Sequence, residues 1–86
     1  KVKGDSMIDA GIFEGDLVII SPKAITANGD IIVARIEDEV TVKIYENKKQ
    51  QIRLIPQNKS YEPIVIKNKN EFSIVGKVTG VLRWLN

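Results

Sequence analysis

The stretch Val40-Thr41-Val42-Lys43-Ile44 alternates apolar and polar side chains with a period of two. This period is typical of a β-strand, because successive side chains of a strand point to opposite faces of the sheet. Thr41 and Lys43 therefore share one face of the predicted strand, and the apolar side chains share the other. No acidic residue lies beside Lys43 in this run, which makes Lys43 a candidate for an uncharged, buried amine.

Further strands are predicted on both sides of this run, since apolar segments alternate with Gly, Pro, Asn and Asp. The predicted strands cover residues 16–20, 31–36, 40–45, 51–55, 64–66 and 72–81. A polar turn is predicted at residues 46–49, and Gly76 and Gly80 interrupt the last segment. Helical periodicity is limited to residues 6–12. We expect a mainly β fold of strongly bent antiparallel sheets or a partly open barrel, with a short helix after Ser6.

The composition is that of one small domain. Of its 86 residues 43% are hydrophobic and 28% charged, and 13 basic against 11 acidic side chains give a net charge of +2. This small excess argues against a dedicated nucleic-acid surface, and we interpret the basic middle of the chain as solvated loops. Its lysines are Lys48, Lys49, Lys59, Lys67 and Lys69.

The chain has no cysteine, which excludes disulfides and thiolate metal sites and suits a reducing cytoplasm. No apolar stretch is long enough to cross a bilayer, and no signal peptide is visible. We expect no cofactor, no metal ion and no membrane partner. Two Gly-Asp pairs, Gly15-Asp16 and Gly29-Asp30, each precede an apolar run, and we interpret both as turns in which Asp bonds nearby backbone groups.

A serine in a glycine-led turn, Gly4-Asp5-Ser6-Met7, is a candidate nucleophile. Serine needs a base to take its proton, and the absence of histidine excludes a Ser-His-Asp triad. A lysine can act as this base when burial lowers its pKa toward neutrality. Taken singly, Ser6 fits a helix cap and Lys43 an exposed strand lysine.

These residues belong to an ordered set that covers nearly the whole chain. Residues 2–7 (VKGDSM), Gly11-Ile12 and Gly15-Asp16-Leu17 resemble the S24-type peptidase domain of LexA-type repressors and UmuD-type mutagenesis proteins. The other matching segments are residues 28–31, 33–36, 39–43 and 54–56, Asn58, Tyr61, and residues 63–64 and 76–81. VARIEDEVTVK is most similar to LexA, whereas GDSMIDAGI and AITANGDI are closer to UmuD.

The resemblance implies a β-rich domain that dimerises and cuts its own chain at an upstream small residue–Gly bond. Ser6 and Lys43 match the catalytic positions of a Ser/Lys dyad, as nucleophile and base. The backbone N–H groups of Asp5 and Ser6 are the expected oxyanion donors. Met7 is expected to shape the pocket, and Thr41 to orient the amine.

In such families RecA bound to single-stranded DNA stimulates the cut, which ends repression or activates a DNA-damage response protein. We expect residues 1–86 to be the self-cleavage and dimerisation domain of a cytoplasmic protein, either excised or produced by cleavage. The cleavage segment and any DNA-binding helix-turn-helix are absent from it, so operator DNA would be bound only through such an absent domain. A cellular repressor, a UmuD-like protein and a phage repressor remain as alternatives.

Two other functions fit parts of the sequence. A signal-peptidase-like enzyme shares the Ser/Lys chemistry, but it needs a membrane anchor and an apolar membrane-facing surface, and neither appears in the sequence. An oligomerisation module would use an apolar C-terminal surface. Its candidate residues are Val78, Val81, Leu82, Trp84 and Leu85. The alternative interpretation is that these side chains complete the core of the monomer.

Overall fold

The computed structural model describes residues 1–85, which form one antiparallel sheet of six strands. The strands are β1 (Leu17–Ser21), β2 (Ile31–Ile36), β3 (Glu39–Lys48), β4 (Gln51–Ile55), β5 (Ile64–Ile66) and β6 (Phe72–Leu82). Their spatial order is β1-β6-β2-β3-β4-β5, so β1 and β5 are the edges of an open sheet. The predicted mainly β fold is confirmed.

Apolar side chains are buried on both faces of the central strands. The first cluster, between β2, β4 and β5, consists of Ile32, Ala34, Ile52, Leu54 and Ile66. The second consists of Val2, Met7 and Ile12, packed against Val18, Ile31, Val42 and Ile44. Because neighbours along a strand point to opposite faces, β2 contributes alternately to the two clusters. This two-sided burial explains why β2 is apolar nearly throughout rather than alternating.

Strand β3 changes its partner in the middle. Residues 39–44 pair with β2, whereas residues 44–48 pair with β4, and Ile44 has a partner on each side. Beyond Ile55 the chain leaves β3 and bonds the N-terminal segment instead. The N–H of Gln57 donates to the carbonyl oxygen of Ser6, and the N–H of Asp9 donates to that of Gln57, both at 2.8 Å. These bonds hold Ser6, the nucleophile candidate, beside the part of β3 that does not pair with β4.

The turn predicted at residues 46–49 lies too early in the chain. Strand β3 continues to Lys48, and the reversal occurs at Lys49 and Gln50, whose φ angles are 51° and 64°. The strand continues through these polar residues because they pair with β4. Glu46 lies opposite Arg53, and the Nε of Arg53 donates to its Oε1 at 2.8 Å.

Strand β6 is continuous through Gly76 and Gly80, where the sequence predicts interruptions. Its register shifts by one residue against β2 and again against β1, which leaves Val75 and Thr79 as bulges. A bulge bends the strand without ending it. At Gly76 an added Cβ would lie 3.1 Å from the carbonyl oxygen of Ser21, so glycine permits the close approach of β1.

The short helix predicted within residues 6–12 is a single 3₁₀ turn, Ile8–Ala10, which ends at Gly11 with φ of 79°. The predicted role of both Gly-Asp pairs is confirmed. Asp16 Oδ2 accepts from the Phe13 N–H at 2.8 Å, and Asp30 Oδ2 accepts from the Ala27 N–H at 2.9 Å. Each aspartate bonds the residue three positions before it, so each closes the turn that leads into the next strand.

The five lysines assigned to loops are all exposed, as predicted, but Lys48 is the last residue of β3 and Lys69 begins a 3₁₀ turn, so the loop assignment is wrong for these two. Within residues 1–85 there is no helix long and apolar enough to cross a membrane.

Candidate active site

The structure brings Ser6 and Lys43 together, although 37 positions separate them in the chain. The Nζ of Lys43 lies 2.9 Å from the Oγ of Ser6 and 2.5 Å from the Oγ1 of Thr41. Thr41 and Lys43 are two apart on β3, so they share a face and their side chains meet. The amine therefore contacts two hydroxyl groups, one of which belongs to the nucleophile candidate.

Burial of Lys43 favours its uncharged form. The residue is 7% exposed, and desolvation lowers the pKa of its amine below the ordinary value of 10.5. Among residues 1–85 no carboxylate lies within ion-pair distance of it, so no opposite charge counteracts the desolvation. A lysine in this state can accept a proton closer to neutral pH than an exposed lysine can.

The turn that carries Ser6 is held by residues that follow β4. The Nδ2 of Asn58 donates to the carbonyl oxygen of Asp5 at 2.8 Å, and the Tyr61 hydroxyl donates to the Asp5 carboxylate. The bond to Asp5 raises the pKa of Tyr61, because only the protonated hydroxyl can donate a hydrogen bond to the carboxylate. Gly4 begins the turn with φ of 75°, a conformation that glycine adopts without strain.

Ser6 is not a helix cap and Lys43 is not an exposed strand lysine, which are the roles that each residue fits when taken singly. The residue that caps the 3₁₀ turn is Met7, without a side-chain hydrogen bond. Met7 itself is 2% exposed and belongs to the second apolar cluster, behind the serine.

A cleft of about 550 Å³ opens beside Ser6. Val18, Val40 and Val42 form apolar walls, and Asp38 and Glu39 from the β2–β3 hairpin also line it. Lys1 and Lys3 line it as well, so the cleft combines apolar walls with charged groups of both signs. Within residues 1–85 no three His, Asp or Glu side chains come together in the manner of a metal site.

Sequence reasoning missed an ion pair on the other side of the N-terminal segment. Arg83 donates from Nε and Nη2 to the two carboxylate oxygens of Asp16, both at 2.7 Å, and from Nη2 to the Gly11 carbonyl oxygen at 2.9 Å. Its guanidinium also lies over the Phe13 ring, 4.6 Å from the centroid. No local pattern marks this pair, because it joins residues 67 positions apart.

The C-terminal apolar residues do not complete the core of the monomer. Trp84 is 70% exposed and Leu85 is 87% exposed, while Val81 and Leu82 are also exposed and Val78 is half-buried. The surface extends beyond the residues predicted from the sequence, since exposed side chains of the neighbouring strand β1 continue it, namely Leu17, opposite Leu82, and Ile19.

The chain is similar to a known protein family and to several curated proteins. Residues 1–79 match the model of the peptidase S24-like family. The LexA repressor of Geotalea uraniireducens is 55% identical over 86 residues, which cover 99% of this chain and 43% of that protein. The LexA repressor of Caldicellulosiruptor saccharolyticus is 51% identical over 83 residues, and that of Clostridium perfringens strain SM101 is 53% identical over 83 residues; each match covers 96% of this chain. The chain thus spans about two fifths of the length of these relatives.

Proposed function

Because this chain belongs to the peptidase S24-like family, we propose that it is the self-cleaving, dimer-forming domain of a LexA-like repressor of the DNA-damage response. One observation carries the proposal, namely the 2.9 Å contact between a buried lysine amine and a serine hydroxyl. The 49–55% identity to LexA repressors supports the repressor assignment over a UmuD-like or phage protein.

The proposed reaction begins with the attack of Ser6 Oγ on the scissile carbonyl carbon. Neutral Lys43 accepts the hydroxyl proton and later delivers it to the leaving amine. The N–H groups of Asp5 and Ser6 stabilise the negative charge that develops on the carbonyl oxygen. Thr41 orients the amine through its hydrogen bond, and Met7 supports the serine from the apolar cluster.

The proposed substrate is a small residue–Gly bond upstream in the same protein. The cleft beside Ser6 supports this choice, since it leaves room for an extended segment, and small side chains let that segment approach the nucleophile closely. The RecA filament on single-stranded DNA is the proposed stimulus. Operator DNA is bound by a region outside the chain described here.

Site-directed variants of the full-length protein test the proposal. Ser6→Ala and Lys43→Ala should each slow self-cleavage by about 10⁴-fold or more, because each removes a whole member of the dyad. Ser73→Ala and Lys67→Ala change exposed residues of the same types and should leave the rate unaltered. The rate is followed by intact mass, with and without RecA and single-stranded DNA, and circular dichroism verifies the fold. Full cleavage in either dyad variant contradicts the proposed mechanism.

Dimer formation rests on the exposed apolar surface of β1 and the C-terminal residues. Sedimentation velocity at several protein concentrations measures the equilibrium between monomer and dimer. Trp84→Ala should weaken the dimer by about 2 kcal/mol if Trp84 is a central interface residue. Ile25→Ala alters a still more exposed apolar residue, in the β1–β2 loop, and should not weaken the dimer. A monomer at every concentration contradicts the dimer proposal while leaving self-cleavage unaffected.

A further inference from the structure

Asn58 makes two bonds that fix its side chain in one orientation. Its Oδ1 accepts from the Ser60 N–H at 2.9 Å, in a local turn, and its Nδ2 donates to the Asp5 carbonyl oxygen at 2.8 Å. The first bond assigns the acceptor end of the amide to Ser60. The donor end is therefore the one directed at Asp5, 53 positions earlier in the chain.

The carbonyl group of Asp5 belongs to the same peptide unit as the N–H of Ser6. A trans peptide is planar, and its C=O and N–H point in opposite directions. A hydrogen bond that holds the Asp5 oxygen therefore also sets the direction of the Ser6 N–H, on the opposite side of the plane. The Ile8 N–H also donates to this oxygen, but at 3.4 Å, so the 2.8 Å bond from Asn58 is the shorter of the two. Asn58 thus helps to orient a donor without contacting it.

The peptide unit between Ser6 and Met7 is held in the same manner by Gln57, the residue before Asn58. The Gln57 N–H donates to the carbonyl oxygen of Ser6 at 2.8 Å. Residues 57 and 58 thereby fix the peptide units on both sides of the Ser6 Cα. Within residues 1–85 the Ser6 N–H donates to no backbone oxygen, which leaves it available to a negatively charged oxygen, whereas the Asp5 N–H faces the Tyr61 hydroxyl.

We propose that Asn58 is a positioning residue for self-cleavage, which aims the Ser6 N–H at the oxyanion through its bond to the Asp5 carbonyl oxygen. This inference rests on the proposed function. Asn58 is remote from proton transfer, since within residues 1–85 the Nζ of Lys43 bonds only the hydroxyls of Ser6 and Thr41. Its loss should therefore reduce the maximal rate without changing the pH at which Lys43 loses its proton.

Two variants separate the donor bond from the local turn. Asn58→Ala removes both bonds. Asn58→Asp keeps an acceptor for the Ser60 N–H but places a carboxylate oxygen where the donor was. The first-order rate of self-cleavage in the full-length protein is measured against pH up to its plateau, where Lys43 is neutral in each variant.

Both variants should lower the plateau about 10- to 100-fold, as expected when an oxyanion donor is misdirected rather than deleted. In Asn58→Ala the apparent pKa of the profile should equal that of the parent protein. Two controls match the separate bonds of Asn58. Asn68→Ala removes a local turn of the same kind elsewhere in the chain, in which Asn68 Oδ1 accepts from the Asn70 N–H. Asn28→Ala removes a side-chain bridge to the backbone of Asn47. Both controls should retain the parent plateau.

A parent plateau in both Asn58 variants overturns the inference while leaving the proposed dyad intact. A parent plateau in Asn58→Asp alone also overturns it, because the turn and not the donor would then matter. If the parent protein itself does not cleave, the proposed function fails and the inference fails with it.

Discussion

The carboxylate of Asp16 and the guanidinium of Arg83 form a two-bond ion pair at 2.7 Å, although Asp16 is 2% exposed. The backbone of Asp16 also pairs with the N-terminal segment, since its carbonyl oxygen accepts from the Val2 N–H at 2.8 Å. Arg83 directly follows β6. The pair therefore connects the C-terminal end of the sheet to the segment that leads into the Ser6 turn.

Arg83→Ala should lower the urea midpoint near neutral pH, because it leaves a buried carboxylate without its cation. The Arg83 hydrogen bonds, followed by that of the Phe13 N–H, lower the pKa of Asp16 from 3.8 to about 2. A lowered carboxylate pKa stabilises the fold above the unfolded value and loses this effect as the pH falls toward the folded one. The deficit of Arg83→Ala should therefore shrink between about pH 4 and about pH 2. The control is Arg35→Ala, because Arg35 is exposed and lies outside the ion pairs found in residues 1–85. A stability deficit of Arg83→Ala that does not depend on pH would contradict this account.

The rate of self-cleavage should rise with pH and level off at a pH below 10.5. Only the neutral amine of Lys43 accepts a proton, and burial lowers its pKa from that value. Thr41→Val removes a hydroxyl that contacts the amine and should change the rate, while the profile keeps its rising form. Rates measured by intact mass across neutral and alkaline pH check this. A rate independent of pH would exclude lysine as the base.

Lys43→Met should stabilise the fold at neutral pH, since it replaces a buried amine with an apolar side chain of similar length. The folded pKa of Lys43 lies below the unfolded one, so the native amine costs stability below the folded pKa, and the cost disappears as the pH rises toward 10.5. A pKa lowered by one unit corresponds to about 1.4 kcal/mol. Urea titrations measure the gain in the free energy of unfolding. At neutral pH this gain should correspond to the difference between 10.5 and the apparent pKa of the cleavage profile, and it should vanish in alkali. A loss of stability at neutral pH would mean that the hydroxyl partners of the amine outweigh its desolvation.

Leu54→Ala should reduce the free energy of unfolding by about 2–5 kcal/mol, because Leu54 is fully buried in the first cluster and its loss leaves a cavity. Ile25→Ala truncates an isoleucine that is 91% exposed, and the change should stay within about 0.5 kcal/mol. Urea denaturation monitored by far-ultraviolet circular dichroism measures both. Equal effects of the two substitutions would contradict the assigned core.

Asn and Gly at the β3–β4 reversal should stabilise the hairpin. Lys49 and Gln50 both have positive φ angles, which Asn-Gly adopts at less cost. The double substitution Lys49→Asn with Gln50→Gly should raise stability by about 1 kcal/mol, because it relieves the cost of a left-handed backbone at these two positions. Gln51→Gly, one residue later in β4, should instead lower it, because glycine weakens a strand. Thermal midpoints of the two variants, compared with the parent chain, decide between these directions.

The strands that sequence reasoning placed best are those whose limits are local. Strand β2 follows the Asn-Gly-Asp turn, β4 stops before Pro56, and β5 follows Pro63, and the predicted bounds of all three agree with the structure. Strand β3 was predicted too short, because its last residues are polar and are retained by cross-strand pairs such as Glu46 with Arg53. No local sequence pattern predicts the bulges of β6, because their positions depend on how β6 pairs with two neighbouring strands, β1 and β2.

The sequence by itself determined the chemistry that is available, since it contains a serine and a lysine in family order and no histidine. It also determined most strands, because a side-chain period of two is a local property of the chain. Only the tertiary structure decided that Ser6 reaches Lys43, that Asn58 bonds the peptide of Asp5, and that Arg83 neutralises Asp16. These contacts join residues 37 to 67 positions apart. Such distances are set by strand order, register and burial, which depend on the packing of the whole chain rather than on any single segment.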